Sequence, residues 1–180
     1  SPSMFTEIAN TETISTTKAA VNRAVTTLQD GDVVALPTET VYGLAADALN
    51  PAAVAKIFEA KERPAFDPLI VHLPNRRALY GVVNIPSDLA EPIEALIQEF
   101  WPGPLTLVLP KTEAVPDIVT AGLPTVAVRM SDHDIFKKIA RALDRPIAAP
   151  SANRFGRISP TSAKAVREEL DGRIPLIVDG

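Results

Sequence analysis

Proline placement is the feature that most restricts this chain. It holds 17 prolines against 8 glycines, nearly twice the usual proline share of about 5%. They are spread out, not gathered as in a linker. Pro37, Pro51, Pro64, Pro68, Pro74, Pro102, Pro104, Pro110, Pro146, Pro150 and Pro160 fall between apolar runs. Each fixes φ, removes a backbone donor and bars a helix from the residue before it. The pattern predicts many short elements joined by stiffened loops.

The segments between prolines read as follows. Ala20, Val21, Ala24, Val25 and Leu28 recur at helical spacing, with Ser15 to Thr17 as cap candidates and Asp30-Gly31 as the stop. Val33–Leu36 is an apolar strand. Asn50 and Pro51 open a helix that buries Val54, Ile57 and Phe58 and ends before Pro64. Leu69–Leu73 is a strand. Glu91–Phe100 is a helix with Ile93, Leu96, Ile97 and Phe100 inward. Leu105–Leu109 and Thr125–Met130 are strands. The next helix begins at a cap in "SDHD" and buries Ile135, Phe136, Ile139 and Leu143. "PIAAP" is a short buried strand, "SPTSAKAVREEL" a helix and "IPLIVDG" a last strand. This alternation predicts an α/β class. Strands without apolar/polar alternation predict a sheet covered on both faces. The proline turns beside "PLIVHL" and "PLTLVLP" predict that part of the sheet is antiparallel.

At 180 residues a single domain with a sizeable core is expected. Ser1-Pro2-Ser3 ahead of Met4 reads as an expression remnant, which leaves 4–180 as the domain. With no cysteine, disulfides, thiolate catalysis and cysteine metal sites are excluded, and a reducing cytoplasm fits. No apolar run is long enough to cross a bilayer. A net charge of −4 argues against a surface-wide nucleic-acid footprint while leaving room for a local basic patch.

The phosphate-loop, dinucleotide and nucleophile-elbow signatures are missing, and His72 and His133 lack metal-ligand spacing. His133 reads as a solvated first-turn residue. Four strand ends carry polar groups instead. Thr38, Glu39, Thr40 and Tyr42 follow the first strand; taken alone they read as a turn satisfying its own backbone. Lys61 and Arg63 sit at a helix end, where cations favour the dipole and where a proline-stiffened loop would also present a phosphate site. Arg129 interrupts an apolar strand and needs an anion, from an internal ion pair or from a ligand. His72 poses the same question more mildly. Ser151 and Asn153 leave a buried run at a strand exit, where open α/β sheets bind ligands. Ser159 or Thr161 reads equally well as a helix cap. No nucleophile–base pair stands out, and the set suits holding a small zwitterion beside a polyphosphate.

The blocks "PTETVYGL", "KERPAFDPLIVH", "FWPGPLTLVL", "TVAVRM" and "PSANRFGRISPT" resemble, in order, the signature blocks of the YrdC-like family, the threonylcarbamoyl-adenylate synthases. The resemblance implies a single α/β domain with a twisted, mixed parallel and antiparallel sheet, flanked by helices, around a large concave cavity. It implies a nucleotidyltransferase reaction in which L-threonine, bicarbonate or CO2 and ATP give threonylcarbamoyl-AMP and pyrophosphate. The product would pass to a tRNA threonylcarbamoyl transferase, in the cytoplasm, for modification of the adenosine beside the anticodon. Matched motif by motif, Lys61 and Arg63 take the catalytic role. Thr40, His72, Arg129 and Ser151 hold threonine. Arg63, Asp67, Thr125, Asn153 and Thr161 hold ATP. Mg2+ would be bound mainly through the nucleotide, without a dedicated protein metal site. Glu39 either orients its neighbours or helps the metal. The resemblance also places a further C-terminal part of the family domain, a glycine-rich turn and a strand with Ser-Thr and an arginine, beyond Gly180. Two alternatives accompany this reading. One is a double-stranded RNA- or tRNA-binding module that uses Lys61, Arg63, Arg154 and Arg157. The other is a related carbamoyl-adenylate-forming domain.

Overall fold

The structure, a computed structural model, describes residues 5–64 and 67–180. The expected remnant at 1–3 and the "AF" of "KERPAFDP" lie outside the described residues. Eight strands form one mixed sheet: β1 (Glu7–Ala9), β2 (Val34–Pro37), β3 (Tyr42–Asp47), β4 (Ile70–His72), β5 (Gly103–Pro110), β6 (Thr125–Met130), β7 (Ile147–Ala148) and β8 (Leu176–Val178). Their order across the sheet is β1-β8-β2-β3-β7-β4-β6-β5. β8 is parallel to β1 and β2, and β4 is parallel to β6. β2–β3, β3–β7, β7–β4 and β6–β5 are antiparallel. The mixed sheet expected from the proline turns is therefore present.

The helices are α1 (Ile14–Gln29), α2 (Pro51–Lys61), α3 (Leu79–Val82), α4 (Ala90–Phe100), α5 (Asp117–Thr120), α6 (Asp134–Leu143) and α7 (Ala163–Leu170). Asn50 caps α2, its side chain accepting from the Ala52 and Ala53 amides, and Pro51 takes the first position. Several expectations need correction. The cap of α1 is Thr13, in a reciprocal box with Thr16, rather than a residue of 15–17. The cap of α7 is Ser162, not Ser159 or Thr161. His133 is not merely solvated: its Nδ1 accepts from the Ile135 amide and caps α6. In α4 only Ile93 and Ile97 are buried, while Leu96 and Phe100 lie exposed. α4 follows the long edge strand on the sheet's periphery, so its contact face is narrow. β1 and β3 were not anticipated. The residues of β3 form a fully buried strand beginning inside the segment read as a polar turn.

Strand periodicity divides the core in two. Val34, Leu36, Ala45, Ile147, Leu176 and Val178 face α1 and α6. Ala35, Leu44, Ala46, Val71, Val126, Val128 and Ala148 face the other way, with apolar residues of α2, α4 and α7. On the first face α1 and α6 stop short. His72 packs its ring on Phe136 of α6, with centroids 4.9 Å apart. Beyond that contact the register rows Ile70–Ala127–Val108 and Thr125–Pro110 lie bare, and Val108 is 64% exposed.

Gly103 opens β5 with φ of 155°, and a Cβ there would lie 2.5 Å from the Phe100 carbonyl oxygen. Glycine in "FWPGP" is thus required by both backbone conformation and space. Gly103→Ala is expected to cost about 2 kcal/mol or more, from a strained φ combined with a clash against fixed backbone. Urea denaturation of the two proteins checks this.

Candidate functional site

The bare half of the sheet face is where the polar residues gather. His72 and Arg129 are register partners on the parallel strands β4 and β6, so their side chains share this face. Thr125 shares it too, because β6 alternates half-exposed and buried residues. Four residues separate it from Arg129, about 13 Å at the ~3.3 Å rise of a parallel strand. Thr125 therefore marks one end of the face and Arg129 the other. Asp67 and Pro68 enter β4 at the Thr125 end, since β4 and β6 run the same way.

At the Arg129 end the β2–β3 turn closes over the strand. Glu39 Oε2 accepts from Arg129 Nη2 at 2.8 Å. Its Oε1 accepts from the Ser131 hydroxyl and from the Asp132 and His133 amides, the latter two at 3.2 Å. Burial alone would raise the Glu39 pKa. The Ser131 hydrogen bond, the Arg129 charge and the His133 amide outweigh that and hold the carboxyl below its ordinary value. Of the two roles open to Glu39, the geometry displays the orienting one. The internal ion pair foreseen for Arg129 exists, yet the guanidinium keeps donors: its Nε is buried with no partner. Thr40, next to Glu39, is exposed at the turn. Thr38 behaves as a turn residue, its hydroxyl bonding the Val41 carbonyl. Tyr42 faces away from this group, its hydroxyl accepting from the Gly180 amide at 3.0 Å.

His72 is 5% exposed, and its Nδ1 is buried without a partner. Burial first, then the Arg129 charge, lowers its pKa to about 4. The ring is neutral at pH 7. Ser151 bridges Gly43 of β3; because Ile147 is the residue of β7 that faces His72, the antiparallel β7–β4 register carries Ser151 along the sheet towards Pro68 and Thr125. Asn153 is buried, donates through Nδ2 to the Arg154 and Arg157 carbonyls, and leaves Oδ1 buried and unpartnered.

Lys61 and Arg63 part company. Lys61 closes the last turn of α2, the helix end at which the sequence places it, but it is 2% exposed and so is not presented to solvent with Arg63. Its Nζ donates to the Asn153 carbonyl at 2.6 Å and to the Ser151 carbonyl. Its own carbonyl accepts from the Phe155 amide at 2.7 Å. Burial, then the neighbouring Arg63 charge, lowers the Lys61 pKa to about 8. Glu62 takes the left-handed cap conformation, so the chain turns only after Lys61 and leaves Arg63 alone on the loop. Arg63 pairs with Asp67 at 2.8 Å, bonds the Pro68 carbonyl at 3.1 Å and lies over the Phe58 ring. Thr161 is exposed just before the α7 cap; the preceding Pro160 carbonyl holds the Tyr42 amide at 2.8 Å.

The site thus has two poles. His72 and Arg129 form one, joined through Glu39 to the β2–β3 turn that carries Thr40. Arg63, Asp67 and Thr125 lie towards the other, and Lys61 ties the Ser151–Asn153 loop to α2. Sequence reading missed Ser131 and the apolar wall of Ile70, Ala127 and Val108. A serine between an apolar strand and a helix start was the available signal for the first. The cations proposed for RNA are largely paired: Arg154 and Arg157 share Glu169, and Arg63 holds Asp67. Among the described residues no group of three or more acidic, His or Cys side chains is placed to hold a metal, and no helix is long and apolar enough to cross a membrane.

Comparison with known proteins bears on this arrangement. Residues 26–180 match the Sua5/YciO/YrdC family model, described as "Telomere recombination". A threonylcarbamoyl-AMP synthase of Pyrococcus abyssi (strain GE5 / Orsay) is 53% identical over 153 residues, covering 85% of this chain and 44% of that protein. The Bacillus subtilis (strain 168) threonylcarbamoyl-AMP synthase is 48% identical over 171 residues, covering 94% and 49%. The chain spans about half the length of these curated relatives. The crystal structure of P. abyssi Sua5 complexed with L-threonine superposes with a TM-score of 0.89 at 47% identity, covering 98% of this chain and 50% of that one. The motifs, the mixed sheet and the matched length agree: the chain belongs to the Sua5/YciO/YrdC family.

Proposed function

We propose that this domain forms threonylcarbamoyl-AMP and pyrophosphate from L-threonine, bicarbonate or CO2 and ATP. The observation that carries the reading is the pairing of His72 with Arg129 on adjacent strands, beside a bare sheet face, in a chain that matches a threonine-bound relative over nearly its whole length.

Arg129 receives the threonine carboxylate through the guanidinium donors Glu39 leaves unused. Thr40, the neutral His72 ring and Ser151 surround the hydroxyl and amine. Threonine nitrogen bonds to carbon of CO2 and loses a proton, giving a carbamate. A carbamate oxygen then bonds to the α-phosphorus of ATP as the bond to the bridging oxygen of the β-phosphate breaks. Pyrophosphate leaves with that electron pair. ATP lies towards Arg63, Asp67, Thr125, Asn153 and Thr161. Arg63, fixed by Asp67, offsets the charge growing on pyrophosphate. Lys61 adds its charge to the same corner while holding the Ser151 and Asn153 carbonyls in place. Mg2+ would be bound mainly through the nucleotide and would offset the charge of its phosphates. On this reading the rate comes from placement and electrostatics, without a covalent enzyme intermediate. The product would be handed to a tRNA threonylcarbamoyl transferase in the cytoplasm. The pairing of Arg154, Arg157 and Arg63 with acids leaves the RNA-binding alternative without a specific observation in its favour.

The direct test is pyrophosphate release from ATP that requires both threonine and bicarbonate, run on this chain and on a version extended beyond Gly180. Release independent of threonine in both would overturn the reading. Arg129→Ala is expected to weaken threonine binding by roughly ten- to hundredfold, the worth of a charge-assisted pair, with nucleotide binding little changed; calorimetry with each ligand checks it. Lys61→Ala is expected to lower pyrophosphate release and also to cost about 1–3 kcal/mol of stability, because two carbonyls lose their donor. Arg63→Ala should lower release with a smaller loss of stability.

His72 gives a pH dependence. Its folded pKa of about 4 lies below the ordinary 6.5, so between these values the unfolded chain binds more protons. Its contribution to stability is whole above pH 6.5 and lost as pH falls towards 4. The urea midpoint of His72→Gln should therefore fall less steeply than that of the parent across this window.

A further inference from the structure

Glu39 is not itself assigned to a substrate, yet it links the parts of the proposed threonine pocket. It belongs to the β2–β3 turn, and its neighbour Thr40 is a pocket residue. Oε2 takes Arg129 Nη2 at 2.8 Å. Oε1 takes the Ser131 hydroxyl and the amides of Asp132 and His133. One carboxylate therefore joins the turn, the end of β6 and the start of α6. An acid at a helix N-terminus is favoured by the dipole, and four donors keep it charged. Oε1 takes three donors and Oε2 is held by Arg129, so the carboxylate is engaged in orienting its neighbours.

The bond to Arg129 is also one-sided. A bidentate carboxylate would consume two nitrogens of the fork. Glu39 consumes one, and the buried Nε has no partner. The arrangement orients the guanidinium without closing it to a second carboxylate. Its direction is fixed from one side, and Thr40 is carried into range on the same turn.

We infer that Glu39 is the positioning residue of the amino-acid pocket: it sets the aim of Arg129 and the placement of Thr40, and through them the affinity for threonine. This inference rests on the proposed threonine-binding function. Its test must separate reach from charge, because removing the carboxylate also removes a repulsion that a bound substrate carboxylate would feel. Glu39→Asp keeps the charge and shortens the arm by one methylene, so it cannot span both Arg129 and the start of α6. Calorimetry of the Glu39→Asp protein should show threonine affinity about tenfold weaker, the scale of one charge-assisted bond, with ATP affinity within about twofold of the parent. A general structural role would weaken both ligands alike. Ser131→Ala, which removes one donor from Glu39 and lies off the pocket, should weaken threonine in the same sense by a smaller factor. It serves as the deciding variant if Glu39→Asp does not fold. Unchanged threonine affinity in the folded variant, or equal losses for threonine and ATP, overturns this inference alone. No threonine binding by the parent protein overturns both this inference and the function beneath it.

Discussion

The molecule's chemistry depends on incomplete coverage of one sheet face. α1 and α6 seal β8, β2, β3 and β7 with apolar side chains, and the seal ends at His72 on Phe136. β4, β6 and β5 continue the sheet past that line with their other side backed by α2, α4 and α5. Backing on one side alone keeps these strands rigid while their second side meets solvent. A rigid, partly apolar floor with polar groups at its ends is a site that side chains need not rearrange to form.

Charge is admitted only where backbone or a counter-ion meets it. Lys61 is almost fully enclosed, and its acceptors are two carbonyls of a loop rather than a directly bonded acid. Such a contact does not fully offset the lost hydration, which is why the ammonium gives up its proton more readily than usual. Arg129 and Glu39 solve the same problem as a pair. His72 solves it by staying neutral. Four ionisable groups thus reach three different settlements, each dictated by what lies within hydrogen-bond reach.

Much of the frame could be read from the chain, because prolines and caps act locally. Asn50-Pro51 marked α2, and the i, i+1, i+4 spacing of Ile135, Phe136 and Ile139 marked the inner side of α6. The alternation of "TVAVRM" held the clue that Arg129 shares a half-exposed side with Thr125. What could not be read came from distance in sequence. β3 went unread because its alanines and glycine carry little strand preference of their own, and its strand state comes from pairing with β2 and β7. The enclosure of Lys61 could not be read because the carbonyls that hold it belong to residues 90 and 92 positions later. Ser131 looked like a helix cap, and its partner proved to be Glu39, 92 positions earlier. The matched blocks named the participants; the three-dimensional pairings assigned them their partners.

The place of β8 has a bearing on how the protein comes into being. Residues 176–178 lie between β1 and β2, and Thr6 bonds the Ile174 carbonyl across 168 positions. During synthesis from the N-terminus, the first strand waits beside an empty slot until residues 176–178 have emerged. Closure of that slot is a long-range event with a large loop entropy. The nascent chain must keep the apolar rims of β1 and β2 from pairing with anything else in the meantime.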